Sequence, residues 1–290
     1  MKILLTGILL IFINTLSGSS FDVITKYLSL NDYKWYHYYS IGGTISILFL
    51  LLYLFVIKGI KQNIILEKKE HYILPLARGI HFIIIIVIIF YSLKHIPINI
   101  FTMLLATTPF FLIIFAKFIL KEKLNLVSWI AIIIGFLGVI IVLKPGNSVI
   151  NIYVFLMLFV AASNAISFSL VSKYSHIASS YGYTFYSYLP FTIFMYILFI
   201  YDPIVPSLNE MILFSAAGFF LVIAAWSFTA AFHIAGKYSS IISPFLFLQI
   251  IWASIYGIIF FNENISISTF LGCFIIITSG TIALYNRNKS

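Results

Sequence analysis

Residues 20–27 read SFDVITKY, and residues 167–174 read SFSLVSKY. Ser, Phe, Lys and Tyr are identical at matching positions, and Val/Leu, Ile/Val and Thr/Ser are chemically close, so one octapeptide is written twice. Only Asp22 against Ser169 breaks the match. A second pair joins KEKLNLVSWIAIIIGFLGVI, from residue 121, to NENISISTFLGCFIIITSGT, from residue 262, with Glu122 aligned on Glu263. The chain is therefore built from two related halves, 1–145 and 146–290.

The solvent of this repeat is lipid. The 290 residues are 62% hydrophobic and 9% charged, with mean hydropathy +1.10, whereas a soluble domain carries about 25% charged residues. A span needs about 20 mostly apolar residues. Such stretches fall at 3–26, 37–57, 72–93, 98–119, 126–143, 150–173, 182–201, 211–233, 240–261 and 266–285. They are continuous apolar runs without period-2 alternation, which selects helices over a transmembrane barrel. The fold class is an all-α membrane protein of ten transmembrane helices. Five helices per half is an odd number, so the halves lie in the membrane with opposite orientation, as two inverted repeats. The first stretch has the look of a secretory signal, but SFDVITKY belongs to the repeat, so the expectation is a retained first helix.

The basic residues sort by side. With the N-terminus in the cytoplasm, the inside set is Lys2, Lys58, Lys61, Lys68, Lys69, Arg78, Lys117, Lys121, Lys123, Lys173, Lys237, Arg287 and Lys289, and the outside set is Lys26, Lys34, Lys94 and Lys144. This excess places both termini in the cytoplasm. It also accounts for the net charge of +9 as topology information and excludes nucleic acid as a partner. Cys273 is alone, so no disulfide forms within the chain, and its expected role is packing.

Ten helices in two inverted halves, a Lys-Tyr pair closing the first helix of each half and a Glu between the fourth and fifth helices of each half resemble the drug/metabolite transporter superfamily, EamA type. Within it, SSFDVITKYL together with ARG at 77–79 is similar to the S-adenosylmethionine transporter group of intracellular alphaproteobacteria. The resemblance implies that helices 1, 3, 4, 6, 8 and 9 line a cavity and that helices 5 and 10 are peripheral. Members often carry an Arg near the start of helix 2, where this chain reads WYHYYSIGG without one.

At 1.5 Å rise per residue, polar side chains fall near the middle of several helices: Asn14, His81, Thr108, Asn164 and Gln249. They form either the wall of a shared midplane cavity or hydrogen-bonded ties between helices. Asp22 is the acidic residue well inside an apolar span. It reads either as the partner of Lys26, one turn on, or as a site for a cationic substrate or a proton. Gly18 on the same stripe would thin the helix for a ligand. Arg78 either snorkels to the interface or contacts substrate, and His81 is a proton carrier or a packing residue. Trp226 and Trp252 are candidates for an aromatic cage around a quaternary ammonium or sulfonium group, while Tyr33, Trp35, Tyr36, Tyr38 and Tyr39 read as an interfacial belt. Pro109 and Pro244 are expected to interrupt helices 4 and 9.

These features predict a secondary transporter of a small cationic or zwitterionic metabolite, such as an amino acid, S-adenosylmethionine or a quaternary ammonium compound, in the bacterial cytoplasmic membrane. The alternatives are a membrane-embedded enzyme and a non-transporting structural protein. No HxxxxD, HExxH, Walker loop or clustered Asp pair supports catalysis, and no cofactor or metal is called for. The partners on this reading are a small-molecule substrate and the lipid bilayer, and the reading leaves room for a homodimer.

Overall fold

A computed structural model describes residues 2–57, 59–119, 126–143, 151–235 and 243–287. Among these residues every regular element is helical: α1 (Lys2–Leu30), α2 (Trp35–Val56), α3 (Ile60–Ile64), η1 (Lys69–Tyr72), α4 (Ile73–His95), α5 (Ile98–Leu105), α6 (Thr108–Ile119), α7 (Leu126–Leu143), α8 (Ile152–Lys173), α9 (Ser180–Tyr201), α10 (Leu208–Ala235), η2 (Ser243–Phe247), α11 (Leu248–Phe261) and α12 (Ile267–Arg287). Seven are long and apolar enough to cross a membrane, counting η1–α4 and α5–α6 as single spans. Three shorter apolar helices run over Leu126–Ile141, Phe245–Phe261 and Ile267–Ile282. The surface is that of a lipid-solvated bundle, with exposed side chains such as Leu52, Phe55, Ile133, Leu137, Ile200 and Phe270.

The connector between the second and third predicted stretches is folded. Between α2 and α4 the chain makes α3 and η1, and this segment packs on the start of α9. The Tyr186 hydroxyl donates to the Ile64 carbonyl at 2.7 Å, and the Leu66 N–H donates to the Tyr72 hydroxyl at 2.9 Å.

Close crossings use small residues, since lipid gives no hydrophobic drive for helices to associate and backbone contact must supply packing. Where α2 crosses α10, a Cβ on Gly218 would stand 2.1 Å from the Gly42 carbonyl oxygen. Where α4 crosses α9, a Cβ on Gly79 would stand 2.8 Å from both Pro190 Cγ and the Ser187 carbonyl. Gly218→Ala is therefore expected to cost about 1–3 kcal/mol as an overpacking change, read as a lower melting temperature in detergent. Gly18→Ala is the control. Its Cβ would meet Gln249 Nε2 at 3.5 Å, an ordinary contact, and stability should hold.

The fourth predicted stretch, 98–119, is broken near its middle. α5 ends at Leu105, Ala106 and Thr107 form a turn, and α6 restarts at Thr108. Pro109 lies in the first turn of α6, where a missing N–H is harmless. The carbonyls of Leu104 and Leu105 accept from the Thr107 and Thr108 hydroxyls, both at 2.6 Å. The ninth stretch is irregular at the matching place, with η2 leading into α11 at Leu248.

Candidate functional site

The bundle encloses a cavity of about 260 Å³ between α1, α4, the α5–α6 break, α8, α9, α10 and the η2–α11 junction. The helices expected to form its wall do so, α9 joins them, and α7 and α12 contribute no lining residue. α7 and α12 instead pack on each other.

Asn14, Asp22, His81, Thr108, Asn164 and Gln249 all line this cavity, together with Arg78. The set is thus both wall and tie. Asn14 Nδ2 donates to the Ala224 carbonyl at 2.8 Å, and Gln249 Nε2 donates to Asp22 Oδ2 at 3.3 Å. His81 Nε2 is buried and has no hydrogen-bond partner among the described residues. Arg78 does not snorkel away from the wall: its Nε donates to Ser167 Oγ at 3.1 Å and its guanidinium carbon lies 5.6 Å from the Tyr183 ring centroid.

Asp22 is 4% exposed, and among the described residues no cation reaches it within ion-pair distance. Lys26, the alternative partner one turn away, pairs with Glu263 at 2.5 Å instead. The Asp22–Lys26 alternative fails because the loop after α11 brings a better acceptor. Asn262 turns in the left-handed region with φ 51°, and the Asn262 and Glu263 N–H groups both return to the Gly257 carbonyl. Gly257 leaves space beneath the helix, since a Cβ there would stand 2.8 Å from Glu263 Oε2. Glu263 Oε1 also accepts the Ile98 N–H at 2.8 Å, and Oε2 faces the Asn99 N–H at 3.4 Å, at the N-terminus of α5. One carboxylate thus joins the end of α1, the start of α5 and the α11–α12 loop. The side chains of Lys26 and Glu263 are only 8% and 11% exposed. Glu122, its sequence counterpart, lies outside the described residues.

The aromatic expectation moves. Trp226 does not face the main cavity but stacks on Tyr181 (5.8 Å, 23°) and lines a separate apolar groove of about 230 Å³ between α2, α9 and α10. Trp252 packs edge-on against Phe12 at 5.5 Å and is also absent from the cavity wall. The cavity's rings come from Phe21, Phe82, Phe168, Tyr188, Phe228 and Phe247. Phe21 and Phe168 are the same position of the repeated octapeptide, so the repeat carried a signal for them. Ser167, which holds Arg78, was equally legible as the partner of Ser20 in the repeat. The Tyr belt also divides, with Tyr38 and Tyr39 buried in the core.

At the end of the bundle that holds Glu263, each lysine in a described segment has a carboxylate. Lys34 pairs with Asp202 at 2.5 Å and Lys94 with Asp32 at 2.6 Å. Their hydrogen bonds hold the Asp202 and Asp32 carboxyls below the usual carboxylate range. The charges at this end are therefore largely neutralised, and Lys61, Lys68, Lys69 and Lys117 enter no ion pair among the described residues at the opposite end.

Comparison with known proteins adds likenesses of sequence and of fold. Residues 5–144 match the EamA-like transporter family. The first half of the chain is thus similar to EamA-like transporters. The chain is also 26% identical, over 69% of its own length and 67% of the relative's, to an S-adenosylmethionine uptake transporter of Rickettsia prowazekii. A second such transporter, from Rickettsia conorii, is 24% identical over 100% of this chain and 96% of the relative. A riboflavin transporter of Brucella anthropi is 33% identical over 29% of each chain. A solved crystal structure superposes with TM-score 0.70 at 14% identity, covering 98% of both chains, which establishes the likeness of fold. The family and these relatives carry the names of transporters rather than of enzymes.

Proposed function

We propose that the protein is a secondary transporter that carries a small cationic or zwitterionic metabolite across the cytoplasmic membrane by alternating access. The observation that carries this reading is the unequal state of the two repeat lysines. Lys26 is buried and paired, while Lys173, the same residue of the second octapeptide, is exposed. In an inverted repeat the two positions mark opposite mouths of one cavity, so a conformer closed at one mouth and open at the other treats them differently.

The helix contacts support ten spans arranged as repeats 1–145 and 146–290. α1 packs on α10 as α8 packs on α4, α2 on α10 as α9 on α4, and α1 on α11 as α8 on α6. The breaks at α5–α6 and η2–α11 occupy corresponding places, where discontinuous helices of inverted-repeat transporters build their binding sites. The basic bias favours cytoplasmic termini, which makes the Glu263 end the outer mouth.

Asp22 gives the substrate its sign. A buried carboxylate without a cation is costly in lipid, and a cationic ligand removes that cost only while bound. The Rickettsia relatives make S-adenosylmethionine, whose sulfonium suits a carboxylate among aromatic rings, the first probe. Proteoliposomes containing the purified protein should take up labelled S-adenosylmethionine and exchange it for unlabelled compound inside. Saturable binding without flux or exchange would contradict transport.

A further inference from the structure

Arg78 carries a capacity that its structural contacts leave unused. It lies in the second turn of α4 on the cavity wall, where Ser167 is its hydrogen-bond acceptor among the described residues and no carboxylate there comes within ion-pair distance. Guanidinium has five N–H donors in a planar fork, and Nε uses one of them. The Tyr183 hydroxyl is itself committed to the Tyr174 carbonyl at 2.8 Å, so that residue meets Arg78 with its ring. Held at Nε and flanked by the ring, the fork has both Nη groups available for a bidentate acceptor.

The same cavity contains Asp22, and the two opposite charges do not form an ion pair with each other. Neither side chain meets an opposite charge among the described residues. A pure cation would answer Asp22 and leave Arg78 unpaired, and a pure anion would do the reverse. A molecule with a carboxylate and a separate cationic centre answers both. His81, three residues from Arg78 on the same helix face, presents a buried Nε2 that has no partner among the described residues and adds a polar contact beside the carboxylate position.

We propose that Arg78 is the carboxylate receptor of the cavity and that the substrate class is zwitterionic, an α-amino acid whose carboxylate binds Arg78 while its cationic centre binds Asp22. This rests on the transport reading above and narrows it. The test compares two pairs of probes that differ in the α-carboxylate: S-adenosylmethionine with its decarboxylated form, and lysine with cadaverine. Competition against labelled S-adenosylmethionine in proteoliposomes should show each decarboxylated compound at least about tenfold weaker than its parent, the size of one charge-assisted hydrogen bond. Arg78→Gln should weaken the parent compounds by a similar factor and remove the discrimination, while Arg78→Lys, keeping charge but losing the fork, should retain part of it. Wild-type protein that accepts the decarboxylated forms equally, or Arg78→Gln protein that still discriminates, overturns the assignment while leaving transport intact. No flux of any probe in wild-type protein overturns the transport reading and this assignment together.

Discussion

Asp22→Asn should insert, fold and purify at least as well as the wild-type chain and yet transport about 10- to 100-fold less efficiently. The two effects have opposite sign because one charge causes both. Asparagine keeps the volume and an acceptor for Gln249 Nε2, which now donates to Asp22 at 3.3 Å, so the tie between α1 and α11 survives. What disappears is a buried carboxyl with no cation opposite it, a group that is costly to ionise in the empty protein. The substrate loses a charge-assisted contact worth about 1.5–3 kcal/mol, and 1.4 kcal/mol is tenfold in affinity. Melting temperature and uptake measured on one preparation separate the roles: a scaffold residue would lower both. The double variant Asp22→Asn with Lys26→Gln should not recover activity, since Lys26 belongs to Glu263. Ser169→Ala is the mirrored control. Its Oγ is buried and has no partner among the described residues, so the change should be mild.

Lys26→Gln should open the Glu263 mouth. Removing one member of a buried ion pair costs about 3–5 kcal/mol, and here the cost falls on the one conformation in which α1, α5 and the α11–α12 loop meet at Glu263. A two-state equilibrium shifted by that amount moves by about 100-fold or more, and a transporter that cannot close one mouth turns over slowly. Exchanging the charges, Lys26→Glu with Glu263→Lys, should fail to restore activity. Glu263 also accepts from the Ile98 N–H, which a lysine cannot do. Near-native uptake by the exchanged variant would reduce Glu263 to a simple ion-pair partner.

Much of this arrangement was readable from the sequence, for physical reasons. Lipid forces each span to be one continuous apolar run, so the predicted stretches agree with α1, α2, α4 and α7 to α10 within a few residues. Polar side chains are expensive in lipid, so those at mid-helix had to face inward, and Asn14, His81, Asn164 and Gln249 do. Pairing was harder to read. Helical spacing offered Lys26 to Asp22, but Lys26 goes to Glu263, 237 positions away, through a left-handed turn at Asn262 that its sequence marks only faintly. The tryptophans misled because size and ring chemistry do not say which side of a helix meets the cavity. Trp226 and Trp252 lie on faces turned to neighbouring helices, and smaller phenylalanines take the cavity.

The claim that one cavity opens in turn to both sides is tested most directly by accessibility. Replacing Cys273, the chain's one cysteine, with serine and placing a single cysteine at Asn164 puts a thiol on the cavity wall. A membrane-impermeant maleimide applied separately to each face of oriented vesicles should label it rapidly from the face opposite Glu263 and slowly from the Glu263 face. The slow rate should rise when Lys26→Gln is added. Labelling confined to one face in both proteins, while uptake continues, would contradict alternating access.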